Sequence, residues 1–255
     1  MDRWFLMIST LLALVVAIQG MIAVHRGHRS RWTPALMMLV VCGQTAFLAM
    51  RGQARQVCPL ADLGEVLTFL AWSLTLFYML VGPAYRISLL GVFTAPVIFL
   101  FQSVALLPGV LDVHPHPLSG GNPWHETHSA TSVLAYGAFA LAAVAGVMFL
   151  VLNQQLKAQH LKSGLFRNLP PVRELLTSLT RLLWLGIVLL TIGIIAGFRM
   201  PHQGAPTGHF IAAMVVWATY LSLLIIKQIR GLTGKRLSIL TVAIFILSLA
   251  VFAFV

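Results

Sequence analysis

The chain has 255 residues, of which 59% are hydrophobic and only 9% are charged. A soluble domain carries roughly 25% charged residues, so this chain has too few to cover a water-facing surface. Its net charge of +11 would suggest nucleic-acid binding in a soluble protein. Here the basic residues lie in short clusters between apolar runs, as in the loops of membrane proteins, and we expect no nucleic-acid partner.

Apolar runs long enough to cross a bilayer recur along the whole chain, since a membrane-spanning helix needs about 20 such residues. Eight spans are predicted: Trp4–Val24, Pro34–Met50, Leu63–Val81, Ile87–Leu107, Thr127–Leu152, Leu182–Phe198, Phe210–Ile226 and Leu237–Val255. Within them, Glu65 and His128 are the only acidic, basic or histidine residues, and each lies near a span end. The sequence therefore predicts an all-α fold, a polytopic membrane bundle of about eight helices, as a single domain over residues 1–255.

Basic residues are unevenly shared between the two sets of loops. One set contains 13 of the 17 Lys and Arg residues, and the other contains Arg3, Arg51, Arg55 and Arg199. Cytoplasmic loops are enriched in Lys and Arg, so the first set is predicted to be cytoplasmic. Both termini are then expected on the non-cytoplasmic side.

The start of the third span, Asp62-Leu63-Gly64-Glu65, has two interpretations. Asp62 would cap the helix, with an acidic residue three positions later, in an arrangement that resembles a capping box. Alternatively, Glu65 would be an ion or proton ligand near the outer surface. We favour the cap.

Histidines are concentrated on one side of this topology. Six of the nine fall on or near the outer face: His114, His116, His125, His128, His202 and His209. Neutral histidine is a common ligand for haem iron and for transition metals. His125 and His128 are three residues apart at a helix start, hence on one face, and His209 opens the seventh span in the same way. These two helix starts predict a shared site, whereas His114 and His116 are expected in an exposed loop.

Catalytic patterns are missing from the sequence. His125-Glu126-Thr127-His128 has the wrong spacing for a metalloprotease HExxH motif, and the six acidic residues are too scattered for acid-base hydrolysis. The two cysteines, Cys42 and Cys58, form no CxxC motif and are not expected to pair, because Cys42 lies within a span. The chain is therefore predicted not to be an enzyme.

A family resemblance begins at His128, which is followed eight residues later by Tyr136 in HSATSVLAYGAFALAAVAGVMFLVLNQQLK. A basic linker then leads to LPPVRELLTSLTRLLWLGIVLLTIGIIAGFRM and, after an outer loop, to WATYLSLLIIKQIRGLTGKR. In order, spacing and topology these segments resemble the cytochrome c assembly protein family, which includes CcsA, CcmC and the HemX-like proteins. The resemblance is greatest to the HemX-like branch and covers roughly Glu126 to the end. The loop Phe198–His209 contains no tryptophan, unlike the tryptophan-rich haem loop of the best-known members.

The resemblance implies a membrane bundle with an outer haem-handling surface, and His128 matches the family's histidine. It also implies the bilayer of a bacterial plasma membrane, with other cytochrome-assembly or respiratory membrane proteins as partners. Because axial ligands lie on opposite faces of a porphyrin, we expect His128 to pair with His209, with His202 and His125 as further candidates. Spans five and seven must then be neighbours.

Two alternatives stay open. The same histidines would serve a transition-metal transport or resistance protein, although the spans offer few polar residues to line a path. The chain would otherwise be a structural partner in a membrane complex that binds no ligand.

Overall fold

The structure is a computed structural model that describes residues 2–26, 32–84, 88–111, 115, 122–157, 172–200 and 208–254. Within these residues there are eight helices and no strand. The helices are α1 (Asp2–His25), α2 (Thr33–Arg55), α3 (Leu63–Ala84), α4 (Ser88–Ala105), α5 (Pro123–Lys157), α6 (Val172–Phe198), α7 (Gly208–Arg230) and α8 (Gly234–Phe254). Six of them, α1, α2, α3, α5, α6 and α7, are long and apolar enough to cross a membrane, and the apolar part of α4 is shorter. The predicted all-α membrane bundle is confirmed.

Several helices continue past the predicted spans, because apolar residues mark only the part of a helix that faces lipid or core. α2 passes the predicted end at Met50 and continues to Arg55. α5 has 35 residues, more than the hydrocarbon core of about 30 Å requires. α6 begins at Val172, directly after two prolines, and has Glu174 in its first turn, where the helix dipole favours an anion.

The eight helices pack as two groups of four. In each group every helix contacts the next one along the chain, and the fourth helix packs back on the first. The groups are joined by α5, which packs on α3 and α4 as well as on α6 and α8. At Gly137 of α5 a Cβ atom would overlap the Ser73 hydroxyl of α3, so the two backbones approach closely only because this residue is glycine.

Contacts between helix termini place one end of seven helices together. Arg51 of α2 contacts Asp2 of α1, and Arg55 contacts Glu65 of α3. Arg3 donates to the carbonyl of Leu111, which follows α4, and His128 of α5 contacts Gly193 of α6. With the first turn of α7, these residues form what we call the His128 end of the bundle. These seven helices therefore alternate in direction along the chain, and the outward orientation of the His128 end stays a prediction.

Candidate functional site

The His128 ring is held between three helices at this end of the bundle. It is half-buried, and its Nδ1 lies 2.7 Å from the carbonyl oxygen of Gly193 on α6. A carbonyl only accepts hydrogen bonds, so in the neutral ring Nδ1 carries the proton and donates it. Nε2 is then the nitrogen with a free electron pair. Metal-binding histidines commonly have this second hydrogen bond, which fixes the tautomer and the orientation of the ring.

Two glycines of α6 make room for this ring. Gly193 and Gly197 are both buried and lie one turn apart on the face toward α5. A Cβ atom at Gly197 would lie 3.1 Å from Nδ1 of His128, and one at Gly193 would lie 2.9 Å from the hydroxyls of Thr131 and Ser132. A larger residue at Gly193 would push α5 and α6 apart, and one at Gly197 would displace both Phe210, 2.5 Å from the Cβ position, and the His128 ring.

Aromatic side chains connect α5 with α7 beside the candidate ligand. The Phe210 ring lies 6.0 Å from the His128 ring, centroid to centroid, and meets Phe198 edge-on at 5.0 Å. Deeper in the bundle, Phe139 of α5 stacks on Tyr220 of α7 at 3.9 Å. The requirement that spans five and seven be neighbours is therefore met through side chains.

The other predicted ligands are placed to different extents. His125 is exposed, one turn before His128 on α5. His209 lies in the first turn of α7, directly before Phe210, but its side chain is outside the described residues. His202, His114 and His116 lie outside the described residues as well. The structure thus brings His128 to the turn that carries His209, and their pairing stays a prediction.

The sequence reasoning missed a cation beside this site. The guanidinium carbon of Arg199, just after α6, lies 5.6 Å from the centroid of the Trp124 ring at the start of α5. A cation over an indole face is attracted by the ring quadrupole. Arg199 stood out only as one of the four basic residues in the outer loops.

The described residues near His128 offer few further side chains that bind metal ions. Among the residues that the structure describes, no group of three or more His, Cys, Asp and Glu side chains could hold a metal ion. Both cysteines are free thiols. Burial raises the pKa of Cys58, and the carboxylates of Glu126 and Glu65 raise it further, so this thiol is protonated at neutral pH.

A cluster of five charged residues lies at the same end, between α1, α2 and α3. We call it the charge layer: Asp2, Arg51, Arg55, Asp62 and Glu65. Arg51 Nε lies 2.7 Å from Asp2 Oδ2, and Arg55 lies 3.1 Å from both Asp62 and Glu65. The Arg51 and Glu65 side chains are fully buried and lie 3.5 Å apart. Buried charges persist only when they are paired, so these contacts hold three helices together.

The cap predicted at the start of α3 is confirmed. The Glu65 backbone N–H donates to Asp62 Oδ1 at 2.7 Å. The Glu65 carboxylate differs from a standard capping box, because it accepts from the Ala61 N–H at 2.9 Å and also faces both arginines. Sequence reasoning assigned Arg51 and Arg55 to a loop, although their spacing of four at a helix end is a signal that they share one face.

Comparison with known proteins shows the family to which this chain belongs. The family model described as cytochrome C assembly protein matches residues 60–255. The chain belongs to this family. The match begins well before Glu126, so it includes α3 and α4 as well as the part in which the resemblance was predicted. It makes the chain a membrane factor of cytochrome c biogenesis.

Individual relatives cover most of the chain. It is 27% identical over 238 residues to the cytochrome c biogenesis protein CcsA of Thermosynechococcus vestitus, which spans 77% of this chain and 75% of the relative. The CcsA protein of a Synechococcus species is 25% identical over 262 residues, or 91% of this chain and 84% of the relative. That of Pyropia yezoensis is 24% identical over 258 residues, or 84% and 80%.

Proposed function

We propose that this chain binds haem at the His128 end of the bundle in support of cytochrome c assembly, with Nε2 of His128 as an iron ligand. The observation that carries the proposal is the hydrogen bond from Nδ1 to the Gly193 carbonyl, because it leaves Nε2 as the electron-pair donor. Family membership supports the same cofactor, since the relatives are named for cytochrome c biogenesis.

The residues around His128 suit a porphyrin. Phe198, whose ring is exposed, offers apolar surface beside His128, and Arg199 offers a positive charge for a propionate. Bound haem would supply an iron centre, which His128 would hold through Nε2. His209 is our candidate for the second ligand, with His202 as the second choice; His125 leaves the same face of α5 as His128 and would replace it rather than pair with it. The loop Phe198–His209 lacks tryptophan, which favours a HemX-like role in holding haem without catalysis.

The absorption spectrum of protein purified in mild detergent tests this proposal. We expect a Soret band after reconstitution with haemin. Its absorbance should correspond to a haem content that approaches one haem per chain. A transition-metal transporter would bind divalent ions without such a band, and a purely structural partner would bind neither. Either result would contradict the proposal.

The side of the membrane on which His128 lies is part of the same proposal. Two exposed glycines, Gly109 after α4 and Gly231 after α7, have positive φ and no other atom within 4 Å of a Cβ position, so we choose them for an inserted reporter. We expect a reporter at Gly109 to be non-cytoplasmic and one at Gly231 to be cytoplasmic, because basic residues follow the ends of α1, α5 and α7. A cytoplasmic signal at Gly109 would reverse the orientation and place His128 on the inner side.

A further inference from the structure

Three polar side chains lie fully buried inside the first group of helices. We call them the glutamine layer: Ser9 of α1, Gln44 of α2 and Gln102 of α4. Gln102 Nε2 donates to the Ser9 hydroxyl at 2.9 Å, and that hydroxyl donates to the Val40 carbonyl at 3.0 Å. In an α-helix the Val40 carbonyl also accepts from the Gln44 N–H, so Gln44 lies one turn along α2 from the carbonyl that Ser9 contacts.

Apolar residues separate this layer from the charge layer. Gln44 and Ser9 lie two turns from Arg51 and Asp2 on their respective helices, or roughly 10 Å at 1.5 Å per residue. A cluster of buried apolar residues on the same helices and the segment after α4 occupies this end of the group: Leu6, Phe47, Leu48, Ala105 and Leu111. The glutamine layer is therefore sealed from the outer surface, in the part of the bundle that crosses the membrane.

Three amide atoms of this layer have no hydrogen-bond partner among the described residues. Among the described residues, neither amide atom of Gln44 has a hydrogen-bond partner, and Gln102 Oε1 has none either. An amide that bonds to nothing is strongly disfavoured in an apolar environment, and lipid offers no substitute partner. Gln44 presents both a donor and an acceptor, which excludes a bare cation and a bare anion as the occupant. The occupant must be small, neutral and able both to donate and to accept.

We propose that the glutamine layer binds ordered water between α1, α2 and α4. Water both donates and accepts, and buried water usually makes two to four hydrogen bonds. The three unpartnered amide atoms and the Ser9 hydroxyl supply that number. Bound water then joins Gln44 to Gln102 and fixes the position of α1 against two other helices, as buried polar groups do between membrane helices.

Hydroxyl-radical footprinting of the purified, membrane-reconstituted protein tests this proposal directly. Radicals formed by X-ray pulses label buried side chains only where water is bound nearby. Val40 and Ile98, each one turn from the layer, are completely buried, and Val216 and Ile187 of the second group are matched controls that are no less exposed. We expect Val40 and Ile98 to be labelled several times more than the controls. Equal labelling in the wild-type protein would overturn the proposal.

Substitution of Gln44 gives a second, independent readout. In Gln44→Leu, water bound to Gln102 loses two of its partners, so we expect a lower melting temperature and weaker labelling of Ile98. If the amide were instead simply unpaired, removing it would raise the melting temperature. That second outcome would also overturn the proposal, and neither result depends on haem binding.

Discussion

Replacing His128 by alanine should remove or shift the haem absorption of the purified protein. Loss of a residue that hydrogen-bonds to a metal-binding histidine typically lowers metal affinity about 10–100-fold. Loss of the histidine itself should lower haem affinity at least as much. Because the His128 ring also packs against Phe210, the variant leaves a space that alanine cannot fill. The Soret band after haemin titration measures the change.

His25→Ala is the control for this experiment. His25 is exposed at the opposite end of α1, so its loss should leave the spectrum unchanged. His209→Ala tests the second ligand and should have an effect comparable to that of His128→Ala. If haem binds with a normal spectrum in the protein that lacks both His128 and His209, the proposed site is wrong.

Glu65→Gln should destabilise the protein by about 3–5 kcal/mol, the usual cost of breaking a buried ion pair by neutralising one partner. Glu65 is fully buried and faces Arg51 and Arg55 together, so its loss leaves two guanidinium groups with only the carboxylates of Asp2 and Asp62 among the acidic groups of the charge layer. The melting temperature in detergent, followed by the loss of helical circular dichroism, measures the effect.

Glu174→Gln is the matched control for the charge layer. Glu174 is an exposed acidic residue in the first turn of α6, at the opposite end of the bundle. Its neutralisation removes only a surface helix-dipole interaction and should change stability by about 0.5 kcal/mol or less. Equal changes in melting temperature for the two variants would show that the charge layer contributes no more than ordinary surface charges.

The charge layer and the candidate haem site lie at one end of the bundle but in different groups of helices. Contacts of the charge layer join α1, α2 and α3, whereas His128, Gly193 and Phe210 belong to α5, α6 and α7. Glu65→Gln should therefore lower stability with little change in the haem spectrum, whereas His128→Ala should change the haem spectrum and lower stability by less. The two variants separate folding from ligand binding.

Local sequence was sufficient to identify the helices and one candidate ligand. Apolar runs predicted eight helices, although α6 begins at Val172, well before the predicted span that starts at Leu182. The pattern Asp62 to Glu65 predicted the cap at the start of α3. Each of these features depends on residues within a few positions of one another, which is why sequence reasoning could reach them.

The sequence by itself determined the class of protein and its helices, and it predicted that histidines are concentrated on one side of the bundle. Only the tertiary structure decided that Arg51 and Arg55 are buried beside Glu65, and that Nδ1 of His128 donates to a carbonyl 65 residues away. Hydrophobic periodicity records whether a residue faces lipid, core or water, but not which helix it faces. Partners distant along the chain are chosen by how the helices pack, and here that packing depends on close approaches at Gly137, Gly193 and Gly197.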